Sequence, residues 1–197
     1  MRRPVVLAAI ALLVAAGAWM LVTGLLRWSG QPVAEAPPET PAPAPAPAAG
    51  ERRIKATLYF ISEDGMSLVG TQRDVPFGES VLEQARHIVE AQIGPAPEPL
   101  ASAVPPGTTL RDVFLTDRGD AFVDLSAEAR TGHTGGALDE LFTVYAIVDA
   151  LTVNLPAITR VQILVDGREV DTLAGHVDLR HPLQKNLEWV RTDKDEP

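Results

Sequence analysis

The chain has 197 residues, with 17 basic against 26 acidic side chains and no cysteine. Arg2, Arg3, Arg27, Glu35 and Glu39 precede residue 51, so residues 51–197 hold 14 basic and 24 acidic groups, a net charge of −10. Such a surface repels phosphate backbones and anionic headgroups, so nucleic acid is not an expected partner. The lack of cysteine excludes disulfides, thiolate metal sites and a cysteine nucleophile, and an acyl-cysteine anchor is not expected.

Residues 5–26 carry no charge and follow directly on Arg2 and Arg3. At ~1.5 Å per residue they form a helix ~33 Å long, about the thickness of bilayer hydrocarbon. The paired arginines direct the N-terminus to the cytoplasm. Residues 1–28 therefore read as a cytoplasmic stub and transmembrane anchor of the cytoplasmic (inner) membrane. The C-terminal part then lies in the periplasm or outside. A cleaved signal peptide is the alternative, with Ala34-Glu35-Ala36 as the cleavage signal, although its apolar region usually runs ~7–15 residues. In residues 29–50, seven of 22 positions are proline and none is aromatic. This segment cannot bury a core and reads as an extended tether of up to ~70 Å.

Residues 51–185 are long enough for one domain with its own core, and residues 186–197 read as a charged tail. Ile54, Ala56, Leu58 and Phe60 alternate with Lys55, Thr57 and Tyr59, which predicts a strand with one buried face. Glu63-Asp64-Gly65 supplies a turn, and an extended pattern over 67–75 completes a hairpin. A helix follows, with Val81, Leu82, Ala85, Ile88, Val89 and Ile93 as its apolar stripe. Ser80 and Glu83 have capping-box spacing, and Gly94-Pro95 ends the helix.

Residues 94–108 are a loop rich in proline and glycine. Strands are predicted at 110–116 and 121–125, around the turn 117–120. After the flexible segment 132–136 comes the strongest helix, with Leu138, Leu141, Phe142, Tyr145, Val148 and Thr152 on one face and Pro156 as its stop. A strand at 158–165 leads into Asp166-Gly167, a hairpin signal. A return over 170–173 and a short strand over 175–179 complete the order ββαββαββ. The expected fold class is α+β, a two-layer sandwich with two amphipathic helices on one mostly antiparallel sheet.

Several segments recur in a familiar order. They are LYF at 58–60, LVGTQRDV at 68–75 and AQIGPAPEPLASAVPPGTTL at 91–110. FVDLS at 122–126, VQILVDG at 161–167 and VDLRHPL at 177–183 follow. Together they resemble the GerM family, the sporulation and spore germination (GerMN) domain, over residues 58–183. The resemblance implies a compact α/β domain akin to ring-building modules of bacterial envelope complexes, and extracytoplasmic assembly without catalysis. The chain departs from the family in having an apolar helix where a lipobox cysteine is expected, and one domain copy where the spore protein has two. A general envelope role survives both departures; a sporulation role is put in question.

Candidate chemistry is sparse. His176, Asp178 and His181 supply two imidazoles and a carboxylate, a possible metal set; the competing reading is a solvated strand end. Glu83, His87 and Glu90 share a helix face, either as ligands or as ordinary surface. Asp124 and Asp178 occupy matching places in FVDLS and HVDLR and could serve general acid–base hydrolysis, even of cell-wall sugars; the competing reading is an outward strand position or an Asx-type turn. Ser126 lacks a nucleophile elbow. No Walker loop, H-E-x-x-H or G-x-G-x-x-G occurs. No catalytic residue and no cofactor is expected.

Leu100, Val104, Pro105 and Pro106 make the stiff loop a candidate partner-binding surface, because a stiff loop loses little entropy on docking. The same apolar residues could instead plug one end of the core. Residues 132–136 form a second mobile surface loop. The expected role is a membrane-anchored, non-enzymatic interaction module that docks onto envelope proteins or self-associates. A module binding cell-wall glycan or peptide is the alternative, and a hydrolase a distant third.

Overall fold

Leu58 and Tyr59 are adjacent and both buried, so alternation alone does not describe the first strand. The computed structural model describes residues 19–24 and 52–191. Strand β1 (Arg53–Ile61) runs antiparallel to β2 (Leu68–Pro76), with Ile61 opposite Leu68 and Arg53 opposite Pro76. Ala56, Leu58 and Phe60 are fully buried as the pattern requires, and Tyr59 is buried as well.

Helix α1 (Val81–Gln92) starts as expected: the Ser80 hydroxyl accepts from the Glu83 N–H. The Glu83 carboxylate reaches back to the Glu79 N–H at 2.7 Å. The buried face is Gln84, Ala85, Ile88, Val89 and Gln92, while Val81 and Leu82 are exposed. The expected apolar stripe is thus displaced toward two glutamines. Gln84 accepts from the Gly78 N–H at 2.8 Å and donates to the Pro76 carbonyl. Gly78 has to be small, since a Cβ there would lie 2.4 Å from the Gln84 nitrogen.

Strands β3 (Leu110–Leu115) and β4 (Asp120–Leu125) form the second hairpin, with a bulge between Leu110 and Asp112. A single helical turn, α2 (Glu128–Thr131), precedes α3 (Ala137–Asn154). Helix α3 buries Phe142, Thr143, Val144, Ala146, Ile147, Val148, Ala150 and Leu151. Apolar side chains surround it on more than one face, because it packs against β1, β5 and α1 together.

Strand β5 (Arg160–Val165) runs parallel to β4, with Val123 opposite Ile163. The chain passes through α3 between them, and a helical crossover is what parallel neighbours require. Asp166 and Gly167 both have positive φ, 51° and 74°, as a two-residue I′-type hairpin turn demands. The return strand β6 is only Arg168–Glu169. Short strands β7 (Leu183–Gln184) and β8 (Val190–Arg191) follow, the latter after a 3-10 turn at Leu187–Trp189.

The described residues hold two sheets, ordered β1-β2-β8 and β3-β4-β5-β6, with β7 also on β5. This corrects the expectation of one sheet; four of the six strand pairings are antiparallel, and β4–β5 and β2–β8 are the parallel ones. The class is mixed α+β. Residues 186–191, assigned to the tail, join the fold by pairing Val190 with Leu68.

The outer edge of β1 is closed by side chains. Gln92 accepts from the Tyr59 N–H at 2.8 Å and donates to the Tyr59 carbonyl at 2.7 Å. Asn154 does the same for Thr57, at 2.9 and 2.8 Å. Ala101 exchanges both backbone bonds with Ile61. Amides at the ends of α1 and α3 thus stand in for a neighbouring strand, which blunts an edge that would otherwise pair with another chain.

Of the expected anchor, only 19–24 lies within the described residues. It is helical and exposes Trp19, Met20, Leu21 and Val22. No helix among the described residues is long and apolar enough to cross a membrane. The tether at 29–50 falls outside them.

Candidate functional site

The two loops singled out in the sequence meet. Residues 102–106 and 132–134, with Ile61, Asp139 and Thr143, line a cavity of about 160 Å³. The Thr143 hydroxyl joins the loops: it lies 2.5 Å from the Ala103 carbonyl, 2.9 Å from the Asp139 carbonyl and 3.3 Å from His133 Nε2. His133 Nδ1 accepts from the Gly135 N–H at 3.0 Å. That bond assigns the ring proton to Nε2, facing Thr143.

Val104, Ala103 and Pro105 are buried, and Leu100 packs half-buried against the core. These residues plug the end of the core. Pro106 alone of the four candidate partner-binding residues is exposed, beside His133 and Thr134 on the cavity rim.

The other candidate sets do not converge. Asp178 is held by Arg180 at 2.7 Å, which keeps its carboxyl below the usual range. His176 Nδ1 lies 3.1 Å from Glu140. Among the described residues, no group of three or more histidine, aspartate or glutamate side chains is placed to hold a metal ion. Glu83 caps its helix, and His87 Nδ1 donates to the Pro76 carbonyl at 3.1 Å. Asp124 is buried and accepts from the Gly167 N–H at 2.7 Å and from Arg111 at 3.1 Å. It braces the β5–β6 turn rather than facing outward.

Two buried acids were invisible to the apolar pattern. Glu140, in the first turn of α3, is wholly buried. It accepts from the backbone N–H groups of Leu173 and His176, each at 2.7 Å. Burial pushes its carboxyl up, but these bonds and the nearby amides of Ala174 and Val177 outweigh it and hold the acid below its ordinary range. Residues 175–179 are therefore an irregular loop wrapped around a carboxylate, not the expected strand.

Asp149 is also wholly buried. Its Oδ1 accepts from the Asn186 N–H at 2.9 Å, while Oδ2 has no partner among the described residues. Burial raises its carboxyl to about 7. Burial, with the Asp149 charge nearby, raises the Tyr59 phenol to about 12. The only sequence signal for either acid is a charged residue on the inward side of an otherwise apolar helix.

A family model described as "Germane: Sporulation and spore germination" matches residues 57–171. The first GerMN domain of the sporulation protein GerM from Bacillus subtilis is 22% identical, with a TM-score of 0.53 over 66% of this chain and 97% of that one. The tandem GerMN domains of the same protein give 23% identity and a TM-score of 0.54, over 69% of this chain and 46% of that one. These likenesses concern the fold. A provisionally assigned lipoprotein from Clostridium perfringens is 28% identical over 68% of this chain and 88% of that one, with a TM-score of 0.48. No curated protein matches.

Proposed function

This chain belongs to the sporulation and spore germination family, and from that premise we propose that it is a non-catalytic assembly module of the bacterial cell envelope. Its N-terminal apolar segment holds it at the cytoplasmic membrane, and its proline-rich tether presents the folded domain on the far side. It docks onto envelope proteins or onto a second copy of itself. Pro106 and the 132–134 loop are the contact surface.

The observation that carries this reading is how the reactive side chains are used. Asp124, Asp178, Glu140, His87, His133 and His176 each bond to backbone or to a neighbouring side chain of the same domain. Groups so engaged fix loops in place, and rigid loops suit recognition.

The test places a photo-crosslinking side chain at Pro106, at Thr134 and at Arg118 as a distant control, in the full chain in its membrane. Adducts from the first two positions with an envelope protein or a second copy support the proposal. So does cleavage of the domain by protease added from the outer face. Equal adducts from all three positions would overturn the surface, and a domain protected from outside protease would overturn its placement.

A further inference from the structure

Residues 183–191 tie the two sheets together. At one end β7 pairs with β5, with Leu183 opposite Val161 and Gln184 opposite Arg160. At the other end β8 pairs with β2 through Val190 and Arg191. Between these ends the chain passes α3, where the Asn186 N–H donates to Asp149 Oδ1 at 2.9 Å.

The hold is slight at both ends. Each strand is two residues long. Leu183 and Val190 pack half-buried against the core, while Leu187 and Trp189 are exposed. Arg191 pairs with Asp64 at the surface, and an ion pair so placed adds little. Segments held by few buried contacts are the first to open.

Asp149 is the latch in the middle. It is wholly buried, and its Oδ2 has no partner among the described residues. Few polar groups face it. The Asn186 N–H and the Lys185 cation come from the same segment, and the Tyr59 phenol comes from β1. Tyr59 is raised to about 12 and stays neutral at ordinary pH. Lys185 favours the carboxylate, but burial outweighs it and raises Asp149 to about 7. A protonated Asp149 suits this dry site, whereas an ionised one leaves charge on an oxygen without a donor. Lifting residues 185–186 brings water to both oxygens.

We propose that residues 183–191 are a proton-gated strap, closed while Asp149 is protonated and opening as it ionises. The sign follows from linkage. The closed strap holds the proton more tightly than the open one, so loss of the proton favours opening. Opening uncovers the β2 edge at Leu68 and Val69, which β8 covers when closed. The strap shares no residue with the cavity beside Pro106, so the inference does not rest on that docking surface.

The test is hydrogen exchange on the full chain in mild detergent, in whole-unit steps from pH 5 to 8, with each amide corrected for its intrinsic rate. Protection at Asn186 and Val190 falls about tenfold or more across that range. At pH 8 it lies about tenfold or more below that of Phe122 and Val123, which sit in β4 between two neighbouring strands. Asp149→Asn keeps an acceptor for Asn186 and removes the titration, so its strap protection is flat with pH. Should that variant fail to fold, the wild-type profile decides alone. Wild-type strap protection that does not change with pH would overturn the proposal. So would protection equal to that of β4 at every pH, since the strap would then open only with the whole domain. An Asp149→Asn profile as steep as wild type would overturn it too.

Discussion

Asp149→Asn tests whether a buried charge shapes the stability of this domain. The wild-type carboxyl titrates at about 7 when folded, against an ordinary 3.8. The folded state therefore holds this proton more tightly than the unfolded chain does. The sign follows: stability is greatest when Asp149 is protonated, falls as pH rises from about 4 to about 7, and is flat above. At ~1.36 kcal/mol per pH unit, the full fall is about 4 kcal/mol. Asparagine keeps an acceptor for the Asn186 N–H and removes the charge. Its amide N–H₂ takes the place of the unpartnered Oδ2, at a penalty of about 1–3 kcal/mol. The variant is expected to be about 1–3 kcal/mol more stable than wild type at pH 8 and to lose that advantage at pH 5. Urea unfolding followed by far-UV circular dichroism, at whole-unit steps from pH 5 to 8, measures both. Parallel stability profiles for the two proteins would refute the reasoning.

Glu140→Gln has the opposite sign. Its folded carboxyl lies below the ordinary range, so its contribution is present at neutral pH and lost as pH falls through that value. A loss of about 2–3 kcal/mol at pH 7, shrinking in acid, is expected from the same unfolding series. Gln92→Ala strips the Tyr59 N–H and carbonyl of their partners. It should lower stability by about 2–3 kcal/mol and raise light scattering on storage, because it uncovers a strand edge. Gly78→Ala drives a methyl to 2.4 Å from the Gln84 nitrogen. Displacing the first turn of α1 should lower the urea midpoint by the equivalent of about 1–3 kcal/mol.

Local chemistry made much of the fold legible. Ser80 and Glu83 marked the start of α1, Asp166-Gly167 marked a hairpin, and the alternation at 54–60 marked β1. Each signal acts within a few residues. The pairing of β4 with β5 depends on contacts some 40 residues apart, and periodicity carries no record of which strands meet. The β-α-β order around α3 did hold the clue to a parallel pair. Gln84, Gln92, Glu140 and Asp149 escaped because each is polar and buried, so an apolar count assigns it to solvent. The proline-rich loop falls within residues 94–108 as expected, but Val104 is buried and Leu100 half-buried against the core, the alternative the sequence left open. Composition shows that a loop is apolar and does not show which way it turns.

Closing the β1 edge with amide side chains gives the protein a clock. Slow deamidation of Asn154 would leave a group that still accepts from the Thr57 N–H but can no longer donate to the Thr57 or Ala150 carbonyls. The same holds for Gln92 and Tyr59. Chemical ageing at either position would unseal a strand, so old molecules should be the first to pair where fresh ones stay apart.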